Sequence, residues 1–191
     1  MNRTVRTSAL AAVLLTIAVS VGGCASEPAA DANPVQSPAA SSQSAEPAPV
    51  GKPTRVVIPA IEVDVALEGV GLNTDGSMHI PDFGEAGWYD LGPRPGAPGP
   101  AVLVAHVNGP AGPDVFERLH ELKPGDEVTV HGTDGASTFV VEGSEQVPKD
   151  ELPYDRIWGS ANEPVLRLIT CGGKRDTQLG GYPDNTIVYA R

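Results

Sequence analysis

Short runs of β-branched and aliphatic residues recur along the chain from residue 53 to its end. Gly, Pro, Asp and Asn come between these runs at close intervals, and such residues form turns. Runs of this length with this punctuation are typical of an all-β sandwich or barrel. The pattern predicts strands at TRVVIP, VDVALEGVG, AVLVAHV, EVTVHG, STFVVEGSEQV, VLRLITC and NTIVYA.

One segment, GPDVFERLHEL, departs from the strand pattern. Asp114 stands where a helix N-cap is expected, and Glu117 follows three residues later with the spacing of a capping box. The sequence KPGD comes next and predicts a turn before the following strand. We therefore predict one short helix at this point of an otherwise all-β domain.

The N-terminus has the features of an export signal. Arg3 and Arg6 precede the apolar run SALAAVLLTIAVSV, which has the length of a signal-peptide core and is short for a membrane-spanning helix. The run ends in Gly22-Gly23-Cys24, which resembles a bacterial lipobox. We predict that residues 1–23 are a lipoprotein-type signal peptide and that Cys24 carries the lipid. An ordinary signal peptide or an uncleaved anchor are the alternatives.

Residues 25–52 consist almost entirely of Ala, Pro, Ser, Glu and Gln. Such a composition buries too little apolar surface to offset the entropy lost on ordering. We therefore divide the chain into the signal peptide, a lipidated cysteine with a disordered tether at 24–52, and a folded domain at 53–191.

The overall charge restricts the partners of this domain. The chain has 24 acidic and 13 basic residues, for a net charge of -11. Binding to phosphate backbones depends on Lys and Arg, so we expect no nucleic-acid partner.

The chain has 2 cysteines, and lipid on Cys24 would leave Cys171 without a partner. An odd cysteine in an exported protein suggests a reactive thiol. Cys171 ends a predicted strand, and Gly172-Gly173 leave the backbone beyond it open to a substrate. A buried inert thiol, next to a loop that simply ends the strand, is the alternative.

The chain has 4 histidines, and one of them stands out. His106 lies where the apolar strand AVLVAHV gives way to a Gly/Pro loop, and an imidazole there can exchange protons with a leaving group. His79, His120 and His131 are better explained as structural or solvated side chains. No metal-ligand spacing and no phosphate-binding glycine motif occurs, so we expect no metal and no cofactor.

Several motifs, in their order along the chain, resemble those of sortases, and most of all the class F sortases of actinobacteria. The resemblance covers about residues 53–191. The motifs are VVIPAIEVDVALEGVG, GWYDLGPRPGAPGPAVLVAHV, LKPGD, LRLITCGG and GYPDNTIVYA.

This resemblance implies a closed eight-stranded β-barrel with one or two short helices and a cysteine transpeptidase site. Cys171 would be the nucleophile that cleaves an LPXTG-like sorting signal through a thioester, with His106 as acid and base and Thr170 supporting the oxyanion. An amine, such as a peptidoglycan precursor or a pilin lysine, would accept the acyl group. The enzyme would lie on the outer face of the cytoplasmic membrane of a Gram-positive bacterium, held by the lipid on Cys24.

The chain departs from the family pattern at one position. Sortases have an arginine about a dozen residues after the cysteine, whereas here that region reads Tyr182-Pro183-Asp184-Asn185. A fixed cation is needed to stabilise the oxyanion or orient the substrate. Arg175, in the loop after Cys171, is the residue we expect in this role. Arg167, or no arginine at all, are the alternatives.

Other functions remain open at this point. Papain-like peptidases have the cysteine before the histidine, and L,D-transpeptidases have a His-Gly-Cys cluster, so neither fits this chain. An envelope cysteine peptidase that mainly hydrolyses, or a non-catalytic envelope lipoprotein with a peptide-binding barrel, are the remaining alternatives. Either a sortase or a peptidase would use the segment from Lys149 to Pro164 as a wall of its substrate groove.

Overall fold

The structure is a computed structural model, and it describes residues 48–178 and 180–191. The predicted signal peptide, Cys24 and most of the predicted tether lie outside these residues. The strands are β1 (Pro53–Ile58), β2 (Val63–Val70), β3 (Ala86–Tyr89), β4 (Gly99–Ala105), β5 (Asn108–Gly109), β6 (Gly112–Pro113), β7 (Glu127–Gly132), β8 (Gly135–Pro148), β9 (Pro164–Gly172) and β10 (Asp184–Ala190). A single turn of α-helix, α1, spans Tyr154–Trp158, and 3-10 turns occur at Pro59–Ile61 and Leu119–Glu121.

Eight of the strands close into a barrel in the order β1-β2-β3-β4-β9-β10-β8-β7, and β5 pairs with β6 as a separate ribbon. Two neighbouring pairs, β2 with β3 and β4 with β9, are parallel, and the other pairs are antiparallel. The closed eight-stranded β-barrel that the resemblance implies is therefore confirmed.

The barrel has an inner core and a smaller apolar layer outside it. Along β9 the odd and even positions alternate, so that Leu166 and Leu168 point inward while Arg167 and Ile169 point outward. β4 is buried at every position, because its outward side chains are covered too. The outer layer beneath α1 contains Val102, Val104, Ile157, Ile187 and Tyr189.

The predicted helix at residues 112–122 is wrong. This segment contains β6, irregular turns and a 3-10 turn, and the α-helix lies instead at Tyr154–Trp158. The Asp114 carboxylate accepts hydrogen bonds from the backbone N–H groups of Val115 and Gly84, at 2.7 and 3.0 Å, and so closes a turn against another loop. Phe116 is completely buried in the barrel core, and this packing decides the local conformation.

The hydrophobic pattern also missed β3, the eighth barrel strand. Its four residues, AGWY, are too few for an alternation to be recognised. Gly87 is needed within it, since a Cβ there would lie 2.8 Å from the side chain of Val70 on the neighbouring strand.

Contacts with the barrel begin before Pro53, the predicted start of the domain. Val50 is buried, and its N–H donates to the Pro95 carbonyl at 3.1 Å. The Ala48 carbonyl accepts a hydrogen bond from the Ser137 hydroxyl. Within residues 48–178 and 180–191, no helix has the length and apolar character needed to cross a membrane.

Candidate active site

Cys171 lies at the end of β9, on the outer face of the barrel. It is a partly exposed free thiol, and Asn185 of β10 is its partner across the strand pair. β9 ends one residue later, at Gly172, and Gly173 follows it. Gly173 has a φ of 80°, a conformation that favours glycine and turns the chain away from the thiol.

His106 immediately follows β4, which runs parallel to β9. Val104 pairs with Ile169, so the same register two residues further on places His106 beside Cys171. Neighbouring strands are about 4.8 Å apart. The structure therefore brings the predicted nucleophile and the predicted acid/base to adjacent positions at the carboxyl ends of two parallel strands.

The His106 ring is held on two sides. Its Nε2 lies 3.1 Å from the Pro81 carbonyl oxygen, and its ring centroid lies 4.4 Å from that of Phe83. A carbonyl only accepts hydrogen bonds, so Nε2 must carry a proton. Nδ1 is then the nitrogen left to exchange protons with a substrate or with the thiol.

The structure gives the contacts of Thr170, for which the resemblance implies a role in supporting the oxyanion. It is buried at 5% exposure on the inner side of β9, and its hydroxyl donates to the Ala105 carbonyl at 2.7 Å. This bond ties β9 to β4 one residue before Cys171 and His106. The hydroxyl hydrogen of Thr170 is therefore engaged within the barrel wall.

A lysine that the sequence did not single out lies against the thiol. Lys149 follows β8, and its Nζ donates to Cys171 Sγ at 3.7 Å. Its backbone N–H donates to the Pro183 carbonyl at 3.1 Å, which continues the pairing of β8 with β10. Recognising Lys149 from the sequence would have required the register between these two strands.

Within the described part of the chain, neither of the two arginines that we considered donates a hydrogen bond to the Cys171 sulfur. Arg175 is exposed in the loop beyond Gly173. Arg167 donates from Nε to the Arg156 carbonyl and from Nη1 to the Leu166 carbonyl, at 2.9 and 3.0 Å. Its guanidinium also lies 4.8 Å from the centre of the Tyr189 ring, and burial lowers the pKa of Arg167.

Two cavities lie near the end of β9. A polar one of about 280 Å³ contains Cys171 itself and is also lined by Asn108, Glu117, His120, Gln146 and Tyr182. An apolar one of about 450 Å³ lies over Ile169, and its other lining residues include Leu72, Met78, Ile80, Leu152 and Trp158. The segment that we expected to form a groove wall supplies Leu152 and Trp158.

Comparisons with known proteins show the family and the fold of this chain. The family model described as Sortase domain matches residues 56–191. The structure of sortase C-1 from Actinomyces oris aligns with a TM-score of 0.55 at 22% identity, covering 72% of this chain and 71% of that one. Sortase C from Streptococcus pneumoniae gives 0.55 at 20% identity, covering 73% and 67%.

A lid mutant of sortase A from Corynebacterium diphtheriae gives a TM-score of 0.56 at 16% identity, covering 72% of this chain and 68% of that one. At these identities the structures show a shared fold. A search of curated protein sequences gives no match. The family model spans most of the chain, β9 included. This protein therefore belongs to the sortase family.

Proposed function

We propose that this protein is a cysteine transpeptidase that cleaves an LPXTG-like sorting signal and transfers the acyl part to an amine. The observation that supports this most directly is the register of β4 and β9, which puts His106 beside Cys171. Sortases as a family are cysteine transpeptidases. The finer assignment to class F rests on the ordered motifs of the sequence.

In the first half of the reaction, Cys171 acts as the nucleophile. The thiolate sulfur forms a bond to the carbonyl carbon of the substrate threonine, and the π electron pair of the carbonyl moves onto its oxygen. When the C=O bond re-forms, the C–N bond breaks. The His106 imidazolium gives its proton to the departing amine nitrogen, which leaves a thioester and a neutral imidazole.

In the second half, an amine attacks the thioester. The neutral His106 accepts a proton from the attacking nitrogen, and the sulfur leaves as a thiolate while the new amide forms. The acceptor would be an amino group of a peptidoglycan precursor or a pilin lysine. Hydrolysis, the activity of the alternative cysteine peptidase, differs only in that water replaces the amine.

The two cavities suit the two sides of the scissile bond. The apolar cavity over Ile169 has room for the leucine and proline side chains of an LPXTG-like signal. The polar cavity next to Cys171 contains the Glu117 carboxylate, which attracts an ammonium group on the amine side. A non-catalytic peptide-binding barrel would need the apolar cavity and would not need a thiol in the polar one.

We further propose that the protein acts on the outer face of the cytoplasmic membrane of a Gram-positive bacterium, anchored by lipid on Cys24. The lipobox-like sequence supports this anchor. Mass spectrometry of the mature N-terminus tests it. A diacylated Cys24 is expected, whereas an unmodified Ala25 or an intact Met1 would contradict the proposal.

A library of sorting peptides, incubated with the protein and followed by mass spectrometry, tests the activity. We expect a covalent acyl adduct on Cys171 for LPXTG-like members, and its transfer to triglycine when that amine is present. Release of the free acid despite the amine would favour the hydrolytic alternative. Peptide binding without any adduct would favour the non-catalytic one.

A further inference from the structure

We propose that Lys149 supplies the positive charge of this active site, in place of the arginine that the family motif has before β10. This inference rests on the proposed cysteine chemistry at Cys171. It assigns the role to a residue of another strand, outside the motif that carries the family resemblance.

The first support is where Lys149 lies in the sheet. Asp184 pairs with Pro148, and one step further the N–H of Lys149 donates to the carbonyl of Pro183 at 3.1 Å. Pro183 belongs to the short segment in which the motif leads us to expect an arginine. Lys149 therefore lies across the strand pair from the segment in which the motif leads us to expect the arginine.

The second support is the direction of its side chain. Lys149 reaches along the outer face to Cys171, and its ammonium donates to the sulfur at 3.7 Å. The five ion pairs found within residues 48–178 and 180–191 do not include it. Asp184, the acidic neighbour of Pro183, instead accepts a hydrogen bond from Gln146 at 2.7 Å. The ammonium charge is thus directed at the thiol.

The third support is electrostatic. The chain carries a net charge of -11, which opposes the formation of a further anion on its surface. A thiolate, and then an oxyanion on the attacked carbonyl, must both form at Cys171. A cation close to the sulfur favours each of these anions, and it does so without gaining or losing a proton.

The rate at which Cys171 is alkylated measures the effect of Lys149 on the thiol. Alkylation of Cys171 needs no sorting peptide, so it reports on Lys149 even if the peptide proposal fails. Iodoacetamide is neutral, whereas iodoacetate is an anion that a lysine beside the sulfur attracts. A residue that only supports the fold would not separate the two reagents.

We would compare Lys149→Met, Lys149→Gln and Lys149→Arg with the parent protein. Lys174→Met is the matched control, because Lys174 is an exposed lysine in the loop just beyond Gly173. Alkylation of Cys171 is followed by mass spectrometry at low salt and at high salt. Cleavage of the best sorting peptide is measured in parallel, and thermal unfolding shows that each variant is folded.

We expect both neutral variants to lower kcat/KM about tenfold, a smaller loss than that of a buried oxyanion donor because Lys149 is solvated. In these variants, alkylation of Cys171 by iodoacetate should be slowed more than alkylation by iodoacetamide. High salt should reduce the difference in alkylation rate between the variants and the parent. Lys149→Arg should stay within about threefold of the parent, since it keeps the charge. Lys174→Met should behave like the parent.

Parental alkylation by both reagents in folded Lys149→Met and Lys149→Gln would overturn the proposal. Loss of cleavage with unchanged alkylation would also overturn it, because the proposal requires the ammonium to favour the thiolate as well as the oxyanion. If the parent cleaves no peptide but the variants still slow alkylation as expected, the sortase activity fails and the role of Lys149 stands.

Discussion

Arg167 and Lys149 lie near opposite ends of the outer face of β9, and their surroundings differ completely. Arg167 is held by two backbone carbonyls and by the Tyr189 ring. Lys149 is exposed, and its ammonium donates to the Cys171 sulfur. Ile169, between the two ends, belongs to the floor of the apolar cavity.

This difference shows how the role of a cation can be inferred from its contacts. The guanidinium of Arg167 has its hydrogen-bond donors directed at carbonyls that belong to the fold, so its contribution is to stability. The ammonium of Lys149 has a reactive group as its partner, so its contribution is to chemistry. Closeness in the sequence to Cys171 favoured Arg175 and Arg167, whereas the hydrogen bond to the sulfur comes from Lys149, 22 residues earlier in the chain.

The largest effect on peptide cleavage is expected for Cys171, near the end of β9. Cys171→Ala should lower peptide cleavage by at least about 10³-fold, because no other nucleophile takes the place of the thiol. Its free energy of unfolding should change by less than about 0.5 kcal/mol, since the thiol is partly exposed. Cleavage assays and urea unfolding measure the two quantities. Cleavage at the parental rate would rule out the cysteine mechanism.

His106→Ala should have the next largest effect. We expect a loss of about 10²–10⁴-fold in kcat/KM, because the leaving amine then receives no proton from the enzyme. His120→Ala is the matched control. His120 lines the polar cavity, and its Nδ1 lies 3.2 Å from the Glu117 carbonyl oxygen. We expect a loss of only a few fold for this control, and equal losses for the two variants would contradict the assignment of His106.

Arg167→Met should lower stability and leave cleavage nearly unchanged, the reverse of what we expect for Cys171→Ala. We expect it to lower the free energy of unfolding by about 1–2 kcal/mol, because two hydrogen bonds from a charged group and a ring contact are lost. Cleavage should stay within about twofold of the parent. Arg175→Met, at an exposed position, should change neither quantity. If Arg167→Met or Arg175→Met lost as much cleavage as the Lys149 variants, the assignment of stability to Arg167 and of chemistry to Lys149 would be contradicted.

The smallest effect concerns Tyr189, which packs beneath Arg167. Burial, and then the hydrogen bond that its hydroxyl donates to Glu145, raise the pKa of Tyr189 to about 12. A raised pKa in the folded state contributes stability that is complete below the ordinary tyrosine pKa of about 10. That stability is lost as the pH rises through about 12.

Tyr189→Phe should therefore reduce the decline in unfolding free energy between pH of about 10 and about 12. Urea unfolding at a series of alkaline pH values, with the parent measured alongside, checks this. An identical decline in both proteins would mean that Tyr189 ionises as easily in the folded state as in the unfolded chain.

Much of the barrel could be predicted from local patterns. The alternation along β9 is a property of a few consecutive residues, and it correctly separates Leu168 from Ile169. The helix predicted from Asp114 and Glu117 was wrong because Phe116 is buried in the barrel core, which is a distant effect. The closure of the strands was available only from the resemblance to sortases.

The candidate site, like the barrel, could be predicted only in part from local sequence. Cys171 and His106 could be singled out because each stands where an apolar strand ends at glycine-rich sequence. Their adjacency depends on the parallel pairing of β4 with β9, which no local pattern reveals. Lys149 could not be found at all, since only the pairing of β8 with β10 brings it across from Pro183 and up to the thiol.

The packing of the residues just before β1 adds these residues to the folded part of the chain. The side chain of Val50 fits against Gly132, where a Cβ would lie 2.8 Å from it, and the chain is bound there to Pro95. Each residue docked in this way removes up to about 3.5 Å from the length of the leash. Under the proposed lipidation of Cys24, the distance from the membrane at which the barrel could meet a substrate would therefore depend on the number of residues between Cys24 and Ala48. Lengthening or shortening that stretch would change this distance without altering the thiol.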